Sequence, residues 1–118
     1  YVHAQENDSF NFTFNHMALS VKDIDRSVSF YKKVLSLKEI TNRTKTAGIR
    51  WFSLGENKEL HLISILKEQV TINKAVHIAY SDWPGTINKI NIRPDGIKQV
   101  FFQDPDGYWI EVNSVVQQ

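Results

Sequence analysis

The chain alternates between two hydrophobic periods. Residues 12–21 (FTFNHMALSV) change character at every second position, with His16, Ala18 and Ser20 on one side and Met17, Leu19 and Val21 on the other. That period of two predicts a strand with one small, polar face and one apolar face. Over residues 23–35 the period lengthens: Ile24, Val28, Tyr31 and Leu35 recur at three- and four-residue intervals behind Asp23. This spacing predicts an N-capped helix lying on the apolar face of the first strand. Three further strand-like runs follow, at 38–44, 48–54 and 59–66, the last two joined by a Gly-Glu-Asn-Lys turn. The first half therefore reads strand, helix, strand, strand, strand.

The second half opens in the same way and then departs. Residues 75–80 (AVHIAY) put His77 and Ala79 on one face, repeating the small-residue pattern around His16. Where an amphipathic helix is expected there is only Ser-Asp-Trp-Pro-Gly, followed by strand-like runs at 89–93, 98–103 and 108–116. The last two are joined by Asp104-Pro-Asp-Gly107, whose proline and glycine specify a tight turn. A crossover between parallel strands needs a dozen or more residues, normally a helix. Either the second helix has been lost, or a segment is missing from the sequence as given. Loss would leave the apolar face of Val76 and Ile78 against water. Omission is therefore the expectation, and it predicts a break in the chain near residues 79–81.

Composition narrows the function. At 118 residues the chain is one domain of ordinary size, and its net charge of +1, with basic residues scattered, makes no electrostatic case for nucleic acid. No apolar run approaches the roughly 20 residues that cross a bilayer. Without cysteine, disulfides, thiolate metal sites and cysteine nucleophiles are excluded. The start Y-V-H-A-Q sets Val2 and Ala4 at the −3 and −1 spacing of a signal-peptidase site, an expectation of export to the periplasm; the rival reading is an arbitrary start ahead of a polar tail, with a cytoplasmic location. His3, in that tail, is assigned no role.

The candidate chemistry lies in His16, His61, His77 and Glu111, each inside an alternating run. Imidazole and carboxylate together suit a borderline first-row divalent ion such as Zn, Ni, Mn, Fe or Co. If the four side chains converge on one face of a curved sheet, they would hold such an ion with positions left open for a substrate. The competing readings are histidines hydrogen-bonded at a barrel mouth, His61 as a pocket residue, and Glu111 as an outward-facing edge residue. Glu111 shares its face with Trp109 and Asn113, and a carboxylate facing the interior needs a partner. One of Trp51 and Phe52, and one of Phe101 and Phe102, must point inward; Arg43, Arg50 and Arg93 are either receptors for a substrate anion or solvated edge charges. No phosphate-cradling glycine loop, nucleophile elbow or dinucleotide fingerprint is present.

Three segments together carry a resemblance: NHMALSVKDIDRSVSFYKKVLSL, VHIAYS and VFFQDPDGYWIEVNSV. A strand-borne histidine ahead of a D-x-x-x-S-x-x-F-Y-x-x-x-L helix, a second H-I-A strand, and a D-P-D-G turn before an I-E-V strand resemble the vicinal oxygen chelate superfamily, which includes glyoxalase I, bleomycin- and fosfomycin-resistance proteins, extradiol dioxygenases and methylmalonyl-CoA epimerase. The resemblance implies an α+β fold of paired βαβββ modules, about 14–66 and 75–116, forming a half-open barrel with the second-module helix missing from the given sequence. Residues 1–13 would be a tail and 14–118 the domain. It also implies a divalent metal held by His16, His77 and Glu111. The fourth family position, a glutamate in glyoxalases and epimerases, falls on His61, with Glu59 two residues away in reserve.

The implied activity is that of a metal-dependent, glyoxalase-like lyase or isomerase acting on a small oxygenated substrate, with Glu111 as both ligand and base. With His61 in place of the second glutamate, the two-glutamate arrangement of the proton-shuttling members is absent. The alternatives are an extradiol-type dioxygenase, which a fourth protein ligand disfavours, and a non-catalytic small-molecule binding or resistance protein. Homodimerisation through an exposed sheet edge is expected from the same resemblance.

Overall fold

The computed structural model describes residues 12–66, 72–81 and 91–114. The elements are β1 (His16–Ser20), α1 (Ile24–Lys33), β2 (Lys38–Ile40), β3 (Ile49–Gly55), β4 (Lys58–Ile63), β5 (His77–Tyr80), β6 (Asn91–Ile92), β7 (Lys98–Gln103) and β8 (Trp109–Asn113). Each falls within, or within a residue of, a run predicted from hydrophobic periodicity. Asp23 caps α1 as expected: its backbone is extended and its side chain accepts from Arg26 N at 3.1 Å. The β3–β4 hairpin turns through Glu56 and Asn57, both at positive φ, the conformation that matches the twist of a two-residue hairpin.

Two four-stranded sheets result, ordered β1-β4-β3-β2 and β5-β8-β7-β6. In each, the first strand runs parallel to the last and the remaining pairs are antiparallel. This is one topology used twice, as expected of paired βαβββ modules. The sheets remain separate and do not close into a barrel; β1 and β5 stand at their edges. Among the described residues α1 is the single helix. β5 runs unbroken through Tyr80, so the expected chain break does not fall within that strand, and the crossover at 82–90 lies outside the described residues.

One core joins the modules. Leu19, Phe52, Leu60 and Leu62 from the first sheet, Val28 and Tyr31 from α1, and Val100, Ile110 and Val112 from the second sheet form a single buried cluster. Among the described residues, α1 is the helix that meets the back of the second sheet, with Phe102 6.3 Å from Phe30 of α1 between ring centroids. Ile78 packs partly buried against this cluster, whereas Val76 stays 72% exposed, so only part of the exposure anticipated for this strand occurs. Polar contacts tie the modules as well. Tyr31 donates to Asp104 Oδ2 at 2.6 Å, Tyr108 to the Ser20 carbonyl at 2.8 Å, and Ser27 to Asp106 Oδ2 at 3.2 Å. No helix among the described residues is long and apolar enough to cross a membrane.

Candidate metal centre

The strand registers place the candidate side chains by the same rule in both modules. Ala18 is opposite His61 and Ala79 is opposite Glu111, while His16 is opposite Glu59 and His77 opposite Trp109. His61 is therefore the positional counterpart of Glu111, and Glu59 that of Trp109. On each sheet a histidine from the first strand lies diagonally next to the candidate on the last, on the face away from the core.

In the second module the pair is compact. His77 Nε2 lies 3.0 Å from Glu111 Oε1. Glu111 is 8% exposed, and its other oxygen, Oε2, accepts from Gln99 Nε2 at 3.0 Å and Asn113 Nδ2 at 2.8 Å. His77 Nδ1 faces the Lys74 carbonyl at 3.2 Å, an acceptor only, so Nδ1 carries a proton and Nε2 presents a lone pair to the carboxylate when the ring is neutral. Two lone-pair donors at that separation need a cation between or beside them: a second ring proton, or a metal ion. The spacing is one that two ligands of a common ion, each bonded at about 2.0–2.2 Å, can adopt. The carbonyl behind His77 and the amides behind Glu111 are the outer partners such ligands ordinarily have. These two residues fit a metal.

The first module is arranged differently. His16 is exposed, with Nδ1 2.7 Å from Asn15 Oδ1. His61 is buried and its Nε2 bonds Glu59 Oε1 at 2.9 Å. The His61 ring is sandwiched: His16 stacks on one side at 4.2 Å and 16°, Trp51 on the other at 3.9 Å and 4°. Arg43 lies over Trp51 at 4.7 Å and bonds Glu59 Oε2 at 3.2 Å. The Glu59 carboxyl is held below its ordinary value by the His61 hydrogen bond first and Arg43 second, against the opposing effect of burial.

Within one chain the four expected ligands do not meet. They form two pairs on two sheets, and among the described residues no group of three or more His, Cys, Asp or Glu side chains is placed to hold an ion. Between the edges β1 and β5 lies a largely apolar cavity of about 390 Å³, lined among others by Met17, Leu19, Ile63, Ile78 and Tyr108, with His77 on its wall. Its size is that of a small-molecule site.

The other candidates sort by face. Trp51 joins the polar side and Phe52 the core; Phe101 meets His77 edge-on at 5.8 Å, and Phe102 packs inward. The three arginines pair with carboxylates of this chain: Arg43 with Glu59, Arg50 with Glu39 and Asp25, and Arg93 with Asp95. Sequence reasoning missed Lys74, whose Nζ sits 4.5 Å from the Phe101 ring and 4.9 Å from Trp109 beside the His77–Glu111 pair; a lysine ahead of a strand carries no signal for this. It also missed Gln99, which only the pairing of β7 with β8 brings beside Glu111; Asn113 was already on the face of Glu111 by alternation, and the structure adds its hydrogen bond to the carboxylate.

The model of the Glyoxalase/Bleomycin resistance protein/Dioxygenase superfamily matches residues 13–81, more than half of the chain. The chain belongs to this superfamily. Among its curated relatives, metallothiol transferase FosB of Staphylococcus saprophyticus is 29% identical over 86% of this chain and 76% of its own length, and FosB of Staphylococcus epidermidis is 30% identical over 85% and 80%. Solved superfamily folds superpose on it. A lactoylglutathione lyase from Agrobacterium tumefaciens matches with a TM-score of 0.65 at 19% identity, covering 88% of this chain and 94% of that one. A glyoxalase-related enzyme from Fulvimarina pelagi matches with a TM-score of 0.69 at 14% identity, covering 87% and 88%.

Proposed function

We propose that this superfamily member is a glyoxalase-like, divalent-metal enzyme that joins a thiol to a small oxygenated substrate, with His16, His77 and Glu111 as ligands and His61 at the fourth family position. The observation that carries the reading is the His77–Glu111 pair, two lone-pair donors 3.0 Å apart with their outer partners in place. The names of the relatives, metallothiol transferases, favour thiol transfer over isomerisation. In this reading a second copy of the chain supplies the His16 half of the site, because the two halves lie on separate sheets that end in the edge strands β1 and β5. A homodimer with two such sites follows by symmetry.

When bound, the ion supplies Lewis acidity to adjacent substrate oxygens. The chain's own groups do the rest. Gln99 and Asn113 hold Glu111 as an acceptor through Oε2, and His77 faces Oε1, so both oxygens are engaged and Glu111 acts as a ligand rather than as a mobile base. Lys74, poised on Phe101 and Trp109, offsets negative charge that develops on the substrate. The apolar cavity beside His77 takes the hydrocarbon part and excludes water.

The test is elemental analysis of protein purified without added metal, followed by thiol-consumption assays with small epoxides, methylglyoxal and catechols. Stoichiometric metal that is lost in His77→Ala and Glu111→Ala, with thiol consumed alongside an epoxide or aldehyde, is expected. A folded protein without metal, or metal content indifferent to both substitutions, refutes the proposal. Catechol cleavage with uptake of oxygen would move the assignment to the dioxygenases.

A further inference from the structure

The first-module cluster has a geometry that separates two roles for its histidines. An imidazole nitrogen donates in the plane of its ring, so an ion must lie close to that plane. His16 and His61 are stacked nearly parallel, 4.2 Å apart and inclined by 16°. Two parallel planes that far apart share no point within coordinating reach of both rings, and as stacked the two cannot ligate the same ion. One of them is a ligand at most.

The remaining contacts decide which. His61 already commits Nε2 to Glu59 Oε1, its ring is covered on both faces, and it is 9% exposed. His16 is exposed, and its Nδ1 is oriented by Asn15 Oδ1, which leaves Nε2 as the lone-pair nitrogen. The layers run His16, His61, Trp51, Arg43, taken from β1, β4, β3 and the loop between β2 and β3. Glu59 staples the inner ones, with one oxygen on His61 and the other on Arg43. An exposed histidine near the start of an edge strand would otherwise sample several rotamers. Against a rigid, flat surface it keeps one ring plane, which preorganises it for binding.

We infer that His61 is a positioning residue and not a ligand: the central layer of a His16–His61–Trp51–Arg43 stack that fixes the ring plane of the ligand His16. This deepens the metal-centre reading and rests on it.

The experiment loads the full-length protein with Co²⁺ and measures affinity by chelator competition and ligand number from the visible absorption bands, in wild type, His16→Ala, His61→Phe, His61→Gln and His61→Ala. His61→Phe keeps a flat ring but has no donor nitrogen; it is expected to retain affinity within about threefold and the wild-type bands. His61→Gln keeps a side-chain donor for Glu59 but no ring. It and His61→Ala are expected to weaken binding about tenfold or more. A His61→Phe protein that is folded by circular dichroism yet loses affinity and shifts its bands as His16→Ala does makes His61 a ligand and overturns the inference. So does wild-type affinity in folded His61→Gln. Failure of the underlying reading looks different, since wild type itself would then bind no Co²⁺, or would bind it equally well in Glu111→Ala.

Discussion

Replacing Tyr31 by phenylalanine removes one oxygen from a fully buried side chain and leaves its ring in place. That oxygen donates to Asp104 Oδ2 at 2.6 Å, a short bond to a carboxylate that is itself 5% exposed. The other carboxylate oxygen keeps its donors, the backbone amides of Asp106 and Tyr108, both at 2.9 Å. The turn therefore stays anchored and the cost is confined to Oδ2. A hydrogen bond to a charged group contributes about 1.5–3 kcal/mol, so Tyr31→Phe should destabilise by about 2 kcal/mol. For a domain of this size that corresponds to a fall in Tm of about 8 °C.

The loss should also depend on pH. Burial raises the Asp104 carboxyl above its ordinary value, against the lowering by the Tyr31 hydroxyl and the turn amides. The folded state thus favours the protonated form, and stability falls as pH rises through that raised value. Without the hydroxyl the folded value climbs further, so the fall becomes steeper and wild type and variant converge toward acid. Tyr80→Phe is the control. The Tyr80 hydroxyl is buried with no hydrogen-bond partner among the described residues, so removing it should be neutral or stabilising. Urea unfolding of the three proteins from pH 7 to 3.5 measures all of this. Equal effects of the two substitutions, or a Tyr31→Phe loss that does not change with pH, would refute the argument.

Three further outcomes follow from the geometry. Gln99→Leu and Asn113→Leu each remove a donor to Glu111 Oε2 and should weaken metal affinity by about 10- to 100-fold in chelator competition, with the overall fold retained. Glu39 is held down to about 2 by the Arg50 guanidinium first and Lys32 second. Its stabilisation is complete above the ordinary value of 4.5 and is lost as pH falls toward 2, so Glu39→Gln should flatten that part of a Tm-against-pH curve. Gly48 and Gly55 both have positive φ, but a Cβ at Gly48 would stand 2.6 Å from Ile65 Cγ2, whereas at Gly55 it would meet nothing within 4 Å. Gly55→Ala should cost about 1–2 kcal/mol for backbone strain alone, and Gly48→Ala at least about 1 kcal/mol more from the clash, read by denaturant unfolding.

Much of the architecture was legible in the linear pattern. Period-two alternation around His16, His61, His77 and Glu111 assigned each to a strand, and the registers put the four at matched positions of a repeated module. The capping aspartate, the Gly-Glu-Asn-Lys hairpin and the Asp-Pro-Asp-Gly turn are local structures, governed by a few adjacent dihedrals, and local sequence suffices for them. Alternation also narrowed Trp51 and Phe52 to opposite faces, but it is blind to which face is the core, and that was decided by packing of Phe52 against α1 and β4.

What the sequence by itself determined is thus the order of elements and which side chains share a face, because both depend on periodicities of two and 3.6 residues along a single chain. Only the tertiary structure decided that the four candidate ligands fall into two pairs on separate sheets, that one helix contributes to a core shared by both modules, and that Glu59 and Trp51 enclose His61. Those are distances between segments far apart in the chain, set by how two twisted sheets dock across a common apolar core. No periodicity within either segment encodes that docking.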